Sequence, residues 1–165
     1  MIMRLVIHKS EDLKMLKEGS RAPSFTMESD SGQKVSLKDY LGQTVVLYFY
    51  PKDMTSGCTQ QACDFRDFFK QFKKKGVVVL GVSKDSVISH QKFKTKHDLP
   101  FPLLVDTDAK VAQAYGIWKE KSMYGRKYMG MERTTFIISS EGKILKIYPK
   151  VKVTDHIAAV LKDLE

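Results

Sequence analysis

Residues 45–82 carry the pattern that decides the fold. They begin with Val45-Val46-Leu47-Tyr48-Phe49-Tyr50 and continue through Pro51-Lys52-Asp53-Met54-Thr55-Ser56-Gly57-Cys58-Thr59-Gln60-Gln61-Ala62-Cys63. Phe65, Phe68, Phe69 and Phe72 then recur at helical spacing, before Val77-Val78-Val79-Leu80-Gly81-Val82. Two short runs of β-branched and aromatic residues around a segment of helical period predict a buried strand, a helix over 63–75 and a second buried strand, a βαβ unit. The four phenylalanines cover too broad an arc for one narrow stripe and are expected in the core rather than in a substrate site.

Outward from this unit the pattern repeats. A helix is expected over 86–96, a short strand over 103–105 and a helix over 109–115. Residues 134–139 and 143–148 read as two strands joined by a glycine-containing loop suited to a hairpin, and residues 154–164 as a closing helix. Parallel crossovers followed by an antiparallel hairpin predict an α/β fold of thioredoxin-like arrangement, with a mixed central sheet and helices on both faces. Residues 1–18 read as an N-terminal extension with a lysine-rich helical patch over 10–16, and residues 19–165 as the domain.

At 165 residues and 42% hydrophobic content, the chain has the length and composition of one ordinary folded domain. Its apolar runs span only a handful of residues, against about 20 for a membrane helix, so no membrane association is expected. The net charge of +9 raises the question of a polyanionic partner. The basic residues are spread along the chain, however, with Lys73-Lys74-Lys75 the one run of three. No basic motif interleaved with aromatics appears, so no nucleic-acid partner is expected. Arg4 interrupts the apolar N-terminus and no small-residue cleavage site follows, which favours a cytoplasmic protein.

Cys58 and Cys63 are the two cysteines of the chain. In a reducing compartment a nearby pair is more often catalytic, redox-active or metal-binding than a structural staple. Cys58 falls where a strand ends and a helix begins. Unpaired N–H groups and about half a positive charge at such a terminus stabilise a thiolate, which is the nucleophilic form. Five helical steps separate the Cα atoms of the two cysteines by roughly 8 to 9 Å, whereas a disulfide tolerates less than about 7 Å. Joining them therefore requires the helix to unwind. If both take part they act in sequence, with a sulfenic acid at Cys58 condensing with a second thiol.

Other chemistries stay open at this level. A zinc site needs about four ligands, and His8, His90, His97 and His156 show no paired ligand spacing. A Cys-His hydrolase would need one of those four histidines beside Cys58. A dithiol exchange protein normally separates its cysteines by two residues, where this chain has four. A basic module that binds a polyanion is the alternative from another class.

Pro51, Thr55 and Cys58 match the Pro-x-x-x-Thr-x-x-Cys motif of the peroxiredoxins. Cys63, five residues on, resembles the bacterioferritin comigratory protein, or Q-type, subfamily. The resemblance extends over about residues 19–165, through Gly19-Ser20-Arg21-Ala22-Pro23-Ser24-Phe25, Tyr48-Phe49-Tyr50-Pro51, Tyr115-Gly116-Ile117-Trp118 and the arginine-bearing strand Gly130-Met131-Glu132-Arg133-Thr134-Thr135-Phe136-Ile137. It implies a thiol peroxidase for hydrogen peroxide and organic hydroperoxides that uses no metal, haem or flavin cofactor. Cys58 would be the peroxidatic cysteine. Cys63 would resolve it as an intramolecular disulfide, which a thioredoxin or similar dithiol donor then reduces. Arg133 would favour the thiolate and orient the peroxide. Thr55 would bond the thiolate or the peroxide oxygen, or cap the helix. Pro51 would shield the sulfur and fix the loop, or simply end the strand. A monomer or weak homodimer is expected. Ser56 stands where the subfamily usually has proline and Gln61 where it commonly has glutamate, departures that bear on rate and substrate preference rather than on the reaction.

Overall fold

The computed structural model describes residues 16–165, so the helical patch expected over 10–16 lies, Leu16 excepted, outside the described residues. The first elements are a short antiparallel pair, β1 (Thr26–Ser29) and β2 (Lys34–Ser36), and a 3-10 turn over Leu37–Tyr40. The expected βαβ unit follows as β3 (Thr44–Phe49), α1 (Ser56–Asp67), α2 (Phe69–Lys74) and β4 (Val77–Ser83). Its two strands are parallel, with Thr44 opposite Val77 and Phe49 opposite Val82. Beyond it come α3 (Val87–His97), β5 (Leu103–Val105), α4 (Lys110–Ala114), the hairpin β6 (Trp118–Met123) and β7 (Arg126–Met131), the hairpin β8 (Thr134–Ile138) and β9 (Ile144–Tyr148), and α5 (His156–Asp163).

Seven strands form one mixed sheet in the order β2-β1-β5-β4-β3-β8-β9. β3, β4 and β5 run parallel, and every other pairing is antiparallel. The alternation of side chains along a strand sends Val45, Leu47 and Phe49 of the central β3 to one face, among Phe25, Met27, Ala112, Tyr115 and Phe136. Val46, Tyr48 and Tyr50 go to the other, among Cys58, Ala62, Phe65, Phe72, Phe93 and Val160. Both faces are covered, which is why β3 is apolar throughout instead of alternating. Tyr48 stacks on Phe65 of α1 with ring centroids 4.5 Å apart, and its ring fits only because Gly81 lies opposite. A Cβ there would come within 2.9 Å of the Tyr48 ring.

Three features depart from the expected elements. The helix over 63–75 starts earlier, at Ser56, and is divided at Phe68, whose φ of −96° and ψ of 5° separate α1 from α2. The phenylalanines marked only its buried stripe; Phe65 and Phe72 are fully buried, with Phe68 and Phe69 packed beside them. β1, β2 and the β6–β7 hairpin were not expected. The first two are three or four residues long, and the hairpin is polar and largely exposed along both strands, so neither displays a period. Arg133 lies in the short link between β7 and β8 rather than within a strand, free of the ladder and able to turn toward α1.

Candidate active site

β3 delivers the chain to Pro51, which is exposed in a bend, and a tight loop leads to Thr55 and α1. Thr55 occupies the N-cap position in extended conformation, and its carbonyl accepts the first helical hydrogen bond from Thr59 N–H at 2.8 Å. Its hydroxyl neither caps the helix nor reaches the sulfur, but donates to Lys52 O at 2.8 Å and closes the loop. Cys58 is the third residue of α1 and is buried, whereas Cys63 on the same unbroken helix is half-buried; both are free thiols.

Arg133 meets Cys58 from 75 residues away. Its Nη2 donates to Cys58 Sγ at 3.4 Å and its Nη1 to Gln61 Oε1 at 2.7 Å. Gln61 is fully buried one turn beyond Cys58 and fixes the guanidinium. Gly57 makes the approach possible, since a Cβ there would sit 3.1 Å from Arg133 Nη2. Positive charge from the guanidinium and from the helix terminus thus converges on one sulfur. The field extends further. Burial first, and then the nearby Arg133 charge, hold the Lys121 amine below its ordinary value. Burial and then the charge on Cys58 push the Tyr48 phenol well above its own.

The loop before α1 is tied to the sheet by a buried polar cluster that has no marker in the sequence. Asp53 accepts from the Tyr50 hydroxyl at 2.6 Å, from Ser89 Oγ at 2.8 Å and from His90 Nδ1 at 2.7 Å. Its own N–H donates to Asp85 Oδ2 at 2.9 Å, and Asp85 in turn accepts from Ser83 Oγ at 2.6 Å. His90 Nε2 faces Leu104 O at 2.9 Å. Both ring nitrogens therefore face acceptors, an arrangement that favours the doubly protonated ring. Burial alone would lower the His90 pKa, but the Asp53 carboxylate and the Leu104 carbonyl outweigh it and raise the value above the ordinary one. Asp53, Asp85 and His90 lie close enough to share a metal ion. Yet both Asp53 oxygens and both imidazole nitrogens are already engaged within the protein, so the donor set does not fit one.

At the other end of α1, Cys63 Sγ lies 3.9 Å from His97 Nδ1 in the last turn of α3. Arg66 Nη1 donates to His97 O at 2.8 Å and its Nε to Asp67 Oδ1 at 3.0 Å, fastening the two helices beside this contact. Among the described residues no helix is long and apolar enough to cross a membrane.

The structure thus brings Cys58 and Arg133 together, leaves Pro51 exposed and Thr55 turned into the loop, and sets Cys63 on a separate face of α1. Sequence reasoning missed Gly57 as the space for Arg133 and Gln61 as its anchor. It also missed the Asp53, Ser89 and His90 cluster and the pairing of His97 with Cys63.

Comparison with known proteins shows the family. Residues 19–147 match the AhpC/TSA family. The chain is 52% identical to peroxiredoxin Bcp of Bacillus subtilis over 89% of its length and 94% of that protein. It is 43% identical to peroxiredoxin Bcp of Escherichia coli over 91% and 96%. Among solved structures, a mutant of Xylella fastidiosa PrxQ superposes with a TM-score of 0.87 at 36% identity, covering 92% of this chain and 96% of that one. The Xanthomonas campestris bacterioferritin comigratory protein gives 0.82 at 41% identity, covering 85% and 89%. With a thioredoxin-like sheet, a buried cysteine in the first turn of α1 and an arginine set on its sulfur, the chain belongs to the AhpC/TSA family, as a thiol-dependent peroxidase of the Bcp or Q-type peroxiredoxins.

Proposed function

We propose that this protein reduces hydrogen peroxide and organic hydroperoxides through Cys58, resolves the product with Cys63 and is recharged by a thioredoxin-like dithiol. The observation that carries the reading is the Arg133 guanidinium on Cys58 Sγ at 3.4 Å, in the first turn of α1. The Cys58 thiolate attacks the terminal peroxide oxygen in line. The S–O bond forms as the O–O bond breaks, and the departing oxygen takes a proton and leaves as water or an alcohol. Arg133 favours the thiolate and draws the peroxide toward it, while Gln61 holds the guanidinium still. The Thr55 proton is engaged by Lys52 O, so Thr55 Oγ1 meets the peroxide as an acceptor for its O–H. Pro51 follows β3 and fixes the φ of the loop.

The sulfenic acid at Cys58 then requires a second thiol. With both cysteines on one intact helix, the first turns of α1 unwind before Cys63 attacks Cys58 Sγ, releasing water and leaving the disulfide. A dithiol donor reduces it by exchange. The organic part of the substrate range is supported by the Xanthomonas campestris relative, whose structure is described for alkyl peroxide reduction. The chemistry asks for no metal, haem or flavin. We place the protein in the cytoplasm as a monomer or weak homodimer.

One equivalent of hydrogen peroxide added to reduced protein tests the reading. Intact mass and peptide mapping are expected to show a Cys58–Cys63 disulfide, replaced in Cys63→Ser by a sulfenic or overoxidised Cys58. A Cys58 that stays a thiol while peroxide persists would refute it.

A further inference from the structure

The contact between Cys63 and His97 has no part in the reaction of Cys58 with peroxide. His97 sits in the last turn of α3 with Nδ1 3.9 Å from Cys63 Sγ, within reach of a hydrogen bond to sulfur. Its position is imposed from two sides. Arg66, three residues after Cys63 on α1, donates to His97 O at 2.8 Å, and Phe93 packs edge-on against the ring at 5.4 Å between centroids. The other charges near this contact have partners of their own. Asp67 is paired with Arg66 at 3.0 Å and Lys94 with Asp30 at 3.0 Å, while Asp64 accepts from Gln60 at 2.7 Å. Lys96 on α3 and Asp98 at its C-cap neighbour His97 in the chain, and both are exposed.

We propose that His97 is the general base of the resolution step: it takes the proton of the Cys63 thiol and so supplies the thiolate that attacks oxidised Cys58. This rests on the reading of Cys63 as the resolving cysteine. A thiol in neutral solution is only a few per cent thiolate, and among the described residues no arginine donates to the Cys63 sulfur as Arg133 does to Cys58. The neutral imidazole protonated at Nε2 presents Nδ1 as the acceptor for the S–H. The proton passes from Cys63 Sγ to His97 Nδ1. As α1 opens, the thiolate attacks Cys58 Sγ, the S–S bond forms, and the S–O bond breaks. The departing hydroxide takes up a proton and leaves as water, so one thiol and one sulfenic acid become one disulfide and one water. Arg66 keeps α3 in register with α1 until that opening, so the base is beside the thiol when it is needed.

The test is a single turnover. Reduced wild-type protein, His97→Gln and His97→Ala are mixed with one equivalent of hydrogen peroxide between about pH 5.5 and 9.5. Cys58 sulfenic acid and the Cys58–Cys63 disulfide are followed by quenched-flow mass spectrometry, and folding is checked by circular dichroism. Near neutral pH the variants are expected to form the disulfide ~10²-fold more slowly, with sulfenic acid accumulating. The wild-type advantage is expected to be largest near neutral pH and to shrink toward both ends of the range, as for a general base acting on a thiol. Added imidazole is expected to restore part of the rate in His97→Ala, which loss of a packing contact would not allow. Equal rates of disulfide formation at every pH would overturn the role of His97 and leave Cys63 as the resolving cysteine. A wild-type protein that forms no Cys58–Cys63 disulfide would overturn both.

Discussion

The two cysteines share one helix and differ in how they are held. Around Cys58, fixed partners converge: Arg133 from 75 residues away on the sulfur, Gln61 of the same helix on Arg133, and the Asp53–His90 cluster on the preceding loop. Around Cys63 there is a half-buried thiol and one imidazole at the outer limit of a hydrogen bond. A nucleophile that must react on encounter gains from fixed partners, because orientation is then settled before the substrate arrives. A thiol that must travel gains from having little to break. The difference teaches that α1 is built to be rigid at its first turn before reaction and to yield along its length after it.

The sharpest way to break this comparison is to exchange the sulfurs. Cys58→Ser is expected to abolish peroxide consumption altogether. Cys63→Ser is expected to keep one stoichiometric reaction and lose the intramolecular disulfide, both read by peroxide assay and mass. If Cys63→Ser also lost the first reaction, the two ends of α1 would not be functionally distinct.

Asp53→Ala attacks the rigid end through stability. It leaves a buried imidazolium without its carboxylate, at a cost of about 3–5 kcal/mol in denaturant unfolding. A loss near that of a surface substitution, below about 0.5 kcal/mol, would show that the loop is held in some other way.

Proton linkage separates the two buried histidines that flank α1. His156, on Thr135 at 2.9 Å and edge-on to Phe65, is pushed down to about 4 by burial and then by the Arg133 charge. The unfolded chain therefore binds a proton that the folded one refuses. Stability should fall by about 3 kcal/mol as pH drops from ~6.5 to ~4. His90 has the opposite sign, because its value is raised. Its contribution is complete below the ordinary imidazole range and is lost as pH rises through the raised value. Unfolding curves of His156→Gln should flatten the acid limb alone; an unchanged acid limb would sink the assignment.

Arg133→Gln removes a charged hydrogen bond to the sulfur worth about 1.5–3 kcal/mol. It should slow the reaction of Cys58 with peroxide by ~10- to ~100-fold in stopped flow, with alkylation of Cys63 unchanged. The smallest effect is expected at Gly57. Alanine favours the helix by about 1 kcal/mol over glycine, but its Cβ would press on Arg133 Nη2 at 3.1 Å. The variant should be slightly more stable and a few-fold slower. A variant that is both more stable and equally fast would show that Arg133 has room to shift.

The sequence by itself determined what depends on near neighbours. Continuous apolar runs at 45–50 and 77–82 became β3 and β4 because burial on both faces leaves no place for alternation. The phenylalanine spacing located the buried stripe of α1 and α2, and the motif around Cys58 placed that cysteine in a helix's first turn. Short or polar strands such as β1 and the β6–β7 hairpin stayed illegible, since too few of their residues are buried to print a period. The tertiary structure alone decided which distant side chains meet. Arg133 reaches Cys58 across 75 residues, and His97 reaches Cys63 across 34. Likewise, Asp53 is matched to His90 only because β3, β4 and β5 lie side by side and carry their loops to one edge. Periodicity records which face of a segment is buried, but the partner waiting on that face is set by the path of the whole chain.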